Sequence, residues 1–82
     1  MAAHHDQMSA AYHVQADWDP DAGVWISSSN IPGLVVETET LAEFVELVQK
    51  LAPQLLAENL GLAGRVPIDL RASGTLDLAV AS

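Results

Sequence analysis

One joined segment constrains this chain more than any other. A tryptophan-bearing hairpin runs into Ile31-Pro32-Gly33-Leu34, then a short extended stretch, then an amphipathic helix that opens at Thr40. Upstream, Tyr12, Val14, Ala16 and Trp18 alternate with His13, Gln15 and Asp17, the period of a strand with Tyr12, Val14 and Ala16 facing a core. Asp19-Pro20-Asp21-Ala22-Gly23 has turn chemistry: proline fixes φ, aspartate bonds nearby amides, and glycine permits positive φ. Val24, Trp25 and Ile26 begin a second strand, with Val24 and Ile26 on one face and Trp25 on the other. Ser27-Ser28-Ser29-Asn30 reads as a polar loop. Pro32-Gly33 then turns the chain into a third short strand, Leu34 to Thr38.

Thr40-Leu41-Ala42-Glu43 fits a capping box, so the helix begins there and runs to about Asn59, with Gly61 as its left-handed stop. Leu41, Phe44, Val48, Leu51 and Leu55, with Leu56 beside them, form the apolar stripe. Pro53 lies inside that span. It removes the hydrogen bond to the Gln49 carbonyl, so either the helix kinks or a second helix starts at Pro53. The stripe stays in phase across Pro53, which favours one kinked helix.

Val66, Ile68, Leu70, Leu76, Leu78 and Val80 all fall on even positions. Two arrangements keep them on one face. An odd-length loop, Ala72-Ser73-Gly74, gives a hairpin and a fifth strand. Alternatively, one long strand runs past the monomer's sheet and pairs with a second subunit. Pro67 places the start of this segment at a sheet edge. The fold class expected is therefore α+β, in the order β-β-β-α-β with a fifth C-terminal strand as an option, and with one helix on one sheet face. Residues 1–11 read as a disordered tail and residues 12–82 as a single domain. His4-His5 within the tail reads as unstructured chain rather than a metal pair.

The 82 residues carry 11 acidic and 3 basic side chains, a formal charge of −8. Phosphate backbones repel such a chain, so direct nucleic-acid binding is not expected. Acidity keeps a small protein soluble and also attracts a basic partner. There is no cysteine, hence no disulfide or cysteine metal site. No apolar run approaches the roughly 20 residues of a membrane span, and Met1 to Ala11 has no secretion-signal pattern. A cytoplasmic protein without membrane contact is the expectation.

Catalytic chemistry is not legible. Asp17, Asp19 and Asp21 have the opening spacing of a calcium loop, but Ala22 stands where the loop needs glycine and Ser28 where it needs a bidentate acid. A magnesium site on the same carboxylates lacks further acidic ligands at a recognisable spacing. His13 has no nucleophile or second ligand, and Ser27 to Ser29 have no nucleophile elbow around them. The chain is therefore expected to be a non-enzyme with no cofactor and no metal. Trp25 has two readings: an exposed anchor for a partner on the uncovered sheet face, or a ring packed against Trp18.

Taken together, these residues resemble the HicB-like antitoxin group, and most of all its short stand-alone members of unassigned function. The resemblance rests on Tyr12-His13-Val14-Gln15-Ala16-Asp17-Trp18-Asp19, Ala22-Gly23-Val24-Trp25-Ile26, Ile31-Pro32-Gly33-Leu34 and Glu39-Thr40-Leu41-Ala42-Glu43. It continues through Leu51-Ala52-Pro53-Gln54-Leu55-Leu56 and Asn59, covering roughly residues 12 to 71. It implies a partial ribonuclease-H-like fold that acts by binding rather than by cleavage. It also implies a partner, the small basic HicA-type ribonuclease toxin. Residues 72–82 do not resemble the DNA-binding segment of the longer members, so direct DNA binding is not expected of this chain. The contact region expected is Trp25, the acidic turn Asp17, Asp19 and Asp21, and Ile31, Pro32 and Leu34. The other function class consistent with the sequence is a homodimer that uses its sheet or C-terminal strand for assembly, with a regulatory or ligand-binding role.

Overall fold

The protein is described from a computed structural model, over residues 10–81. Its elements follow the order β1 (Tyr12–Asp19), β2 (Val24–Ser29), β3 (Glu37–Thr38), α1 (Leu41–Leu60) and β4 (Ile68–Ser73). The strands form one mixed sheet in the order β3-β2-β1-β4. β1 pairs antiparallel with β2 and parallel with β4. The fold is the expected α+β arrangement of β-β-β-α-β order. Of the tail expected over residues 1–11, only Ala10 and Ala11 are among the described residues, and His4-His5 lies outside them.

α1 covers one face of the sheet. Phe44, Val48, Ala52 and Leu56 are its buried residues, four apart, and they meet Val14, Ala16, Ile31, Leu34 and Val36 in the core. Burial thus follows one i, i+4 row rather than the whole stripe: Leu51 and Leu55 are half-buried and Leu41 is exposed. Leu41 stands in the first turn, outside the row that meets the sheet. α1 continues unbroken through Pro53 as a single helix. At its start, the Glu43 amide donates to the Thr40 hydroxyl oxygen at 3.1 Å, and that hydroxyl donates to the Glu43 carboxylate at 3.1 Å. The carboxylate therefore meets the capping hydroxyl, where a capping box would direct it to the cap's own amide. At the other end Gly61 adopts φ +66, and its amide donates to the Ala57 carbonyl.

The Pro-Gly turn locks the sheet to the helix end. The Leu34 amide donates to the Ile31 carbonyl at 3.2 Å, and Gly33 has φ +83. Proline second and a left-handed glycine third make a type II turn. The Asn59 side-chain amide donates to the Pro32 carbonyl at 3.3 Å. A Cβ on Gly33 would lie 3.2 Å from Leu55 Cδ2, so this turn is pressed against α1.

Two expectations about strands are corrected. Ser27 to Ser29 are not a loop but the second half of β2. The Ser27 and Ser29 hydroxyls do ladder work: Ser29 Oγ donates to the His13 carbonyl at 2.7 Å and accepts from the Ile31 amide at 2.9 Å. The third strand is shorter than Leu34–Thr38. The Ser27 amide donates to the Val36 carbonyl, but the Val36 amide donates to Ser27 Oγ instead of returning a backbone bond. The side chain intercepts the ladder, and regular pairing is confined to Glu37 and Thr38.

The C-terminal hairpin is also absent. Ala72 and Ser73 belong to β4, paired with Ala16 and Asp17. Gly74 comes next against Trp18, where an added Cβ would stand 2.6 Å from the Trp18 Cβ. The chain therefore keeps its direction past Ser73, and residues 74–81 add no strand to the sheet.

Candidate functional site

The β1–β2 hairpin decides where the tryptophans lie. Its register pairs Trp18 with Trp25 and Asp19 with Val24 across a four-residue turn. An even position on β1 therefore opposes an odd position on β2. Trp25 shares the helix-side face with Val14, Ala16 and Trp18, while Val24 and Ile26 occupy the open face. This reverses the faces expected for β2. Trp25 packs on Trp18 with ring centroids 5.3 Å apart and planes tilted by 53°, and it also touches the core. The reading of Trp25 as an anchor on the uncovered face is therefore corrected. It does stay accessible, because the two indoles, Glu39 and Gly74 line a groove of about 470 Å³ at this end of the sheet.

The other expected contact residues separate into two groups. Ile31 and Leu34 are 2% and 6% exposed and belong to the core, so neither presents its side chain to a partner. The turn that made them conspicuous points its apolar residues inward and leaves Pro32 outside. Asp17, Asp19 and Asp21 lie at or near the β1–β2 turn with distinct surroundings. Asp19 Oδ1 accepts from the Asp21 and Ala22 amides at 3.0 and 3.3 Å, so it shapes the turn. Asp17 Oδ1 accepts from Gln15 Nε2 at 2.8 Å and from Ser73 Oγ at 3.3 Å, bridging β1 and β4. Asp21 is exposed, and its side chain is the freest of the three.

A larger acidic feature escaped the sequence reading. Glu37 and Glu39 lead into α1, and Glu43 and Glu46 follow on one side of its first two turns. With Val24, Thr38, Leu47 and Lys50 they line a groove of about 670 Å³. Four carboxylates against one ammonium make its field negative. Only part of the signal was present in the sequence: Glu43 and Glu46, three apart, share one side of the helix, whereas Glu37 and Glu39 precede its cap. Glu39 lines both this groove and the tryptophan groove, so the two adjoin at that residue. The site is thus an apolar indole pair flanked by carboxylates, at the end of the molecule where α1 begins.

Such a surface is suited to binding. Among the described residues there is no group of three His, Asp or Glu side chains placed to hold a metal ion. His13 is exposed on the open face, where its amide donates to Asn30 Oδ1 at 2.8 Å. No helix among the described residues is long and apolar enough to cross a membrane.

Comparison with known proteins agrees with the fold. The chain is similar to a hypothetical protein of the extremely thermophilic bacterium Thermus thermophilus, known from its crystal structure. The two are 41% identical with a TM-score of 0.62, over 84% of this chain and 97% of that one. None of the curated proteins matches. Residues 11–79 match a domain of unknown function, DUF1902. That span takes in every strand and the helix, and the chain belongs to the DUF1902 family.

Proposed function

We propose that this chain is a non-enzymatic protein-binding module that engages a small basic protein, as HicB-type antitoxins engage HicA-type ribonuclease toxins. The observation that carries this reading is the glutamate groove of Glu37, Glu39, Glu43 and Glu46, which adjoins the groove of the half-buried Trp18 and Trp25 at Glu39. Aromatic anchors inside a polar rim are the usual composition of a protein-binding patch. The net charge of −8 steers a basic partner toward it. The β-β-β-α-β order and the residues that resemble the HicB-like group support the same reading.

A pull-down from native cell extract at low and high salt tests this. The expected result is one small basic protein at near-equal stoichiometry, lost at high salt. Combining Glu37→Gln, Glu39→Gln and Glu46→Gln should slow its association by about tenfold or more. Recovery of the bait alone at low salt, or capture that ignores these substitutions, would reject the proposal.

A further inference from the structure

The segment that follows β4 is the least satisfied part of the described chain. Leu76, Leu78 and Val80 are 71%, 72% and 87% exposed, at alternate positions in a stretch with no strand partner. Alternation of this kind is the pattern of a strand with one buried face. Gly74 against Trp18 shows that the segment leaves along the line of β4. Its even positions therefore continue the helix-side face of Ile68, Leu70 and Ala72 beyond the end of the sheet.

β4 itself has an open flank. It is an edge strand, and Leu70 on it is exposed. Between β4 and α1 runs a groove of about 540 Å³ lined by Val48, Ala52, Leu56, Val66, Ile68 and Leu70 among others. The opposite edge, β3, is only two residues long and offers little to pair with. The molecule thus carries an unpaired apolar strand sequence and, separately, an unpaired apolar strand edge. Residues 75–81 extend over about 23 Å at 3.3 Å per residue, against about 20 Å for the six residues of β4, so the lengths agree.

We propose that two copies of this chain exchange these segments. Residues 75–81 of each copy pair antiparallel with β4 of the other and lay Leu78 and Val80 against the groove between β4 and α1. The two-fold axis passes at Gly74, and the two sheets join into one of eight strands. This register is selected by side chains. Centred on Gly74, it sets Leu70 opposite the partner subunit's Leu78, Ile68 opposite the partner subunit's Val80, and Arg71 opposite the partner subunit's Asp77. A shift of the axis to Ser73 would oppose Asp69 to the partner subunit's Asp77, two like charges across a ladder. A shift to Thr75 would leave Arg71 opposite the partner subunit's Ala79. Only the Gly74 register joins apolar to apolar and cation to anion, and it puts a residue without a side chain where the two chains cross.

The test is the mass of the full chain in solution, by light scattering across a concentration series. The expected species has twice the 8.7 kDa chain mass. Leu78→Asp, on a side chain exposed in the single chain, should raise the dissociation constant by on the order of a hundredfold while the helical circular dichroism persists. Arg71→Glu and Asp77→Arg should each weaken the dimer, and the two together should restore it. With Arg71→Cys and Asp77→Cys in one chain, oxidation should give a covalent dimer on a non-reducing gel. A monomer at every concentration, a dimer indifferent to Leu78→Asp, failure of the double charge swap to recover, or an internal disulfide would each overturn the proposal.

Discussion

At the scale of single residues, the decisive positions are those where a side chain settles a backbone bond or where none can fit. Ser27, Ser29 and Asn30 act as part of the ladder: Asn30 alone accepts from the His13 amide at 2.8 Å and donates to the Ala11 carbonyl at 2.9 Å. Gly33 is fixed twice over, by φ +83 and by the Leu55 methyl that faces it. Gly33→Ala should cost about 1–2 kcal/mol from the left-handed backbone alone, seen as a drop in melting temperature of several degrees. An unchanged melting temperature would mean that the turn can change type. The sequence shows this turn plainly, because proline and glycine in that order permit little else. It does not show that Ser27 to Ser29 form strand, because serine has turn chemistry by composition. Only the positions of the His13 carbonyl and the Val36 amide turn the Ser29 and Ser27 hydroxyls into ladder partners.

At the scale of elements, the helix was the most legible and β2 the least. Thr40, Glu43 and Gly61 mark both ends of α1 in advance, and the stripe staying in phase across Pro53 foretells a single helix. The faces of β2 depended on the number of residues in the turn. Four residues between Asp19 and Val24 oppose even positions to odd, and this puts Trp25 inside and Ile26 outside. Because Trp18 continues the inward alternation of β1, pairing the two indoles would have revealed the register. The same parity now organises the candidate site, since it brings both rings to the end where Glu39 stands. Burial of α1 rests on the row from Phe44 to Leu56, and Phe44 is fully buried at its head. Phe44→Ala should therefore cost about 3–5 kcal/mol, most of the stability of a domain this small. A denaturant midpoint close to that of the parent chain would move the centre of the core elsewhere.

At the scale of the whole molecule, charge and topology matter more than any one contact. The surplus of acid was visible from composition, but its concentration beside the start of α1 was not. It depends on β3 delivering Glu37 and Glu39 next to Glu43 and Glu46, a juxtaposition that exists only once the sheet and helix have met. The topology has a consequence in time. β1 is held on one side by β2, its neighbour in sequence, and on the other by a strand whose contacts reach it from 56 residues further along. As the chain leaves the ribosome, β1, β2, β3 and α1 can assemble while that second side of β1 still lacks its strand. β4 then closes the sheet, carrying the largest loop-closure cost of any pairing in the fold. Ile68→Ala should accordingly speed unfolding and leave refolding nearly untouched, with a φ-value below about 0.3 in stopped-flow measurements. A value near one would place β4 in the nucleus. Until β4 arrives, the backbone groups of Tyr12 to Asp17 on that side face any strand within reach, so the nascent chain passes through an interval in which the centre of its own finished sheet is a sticky edge.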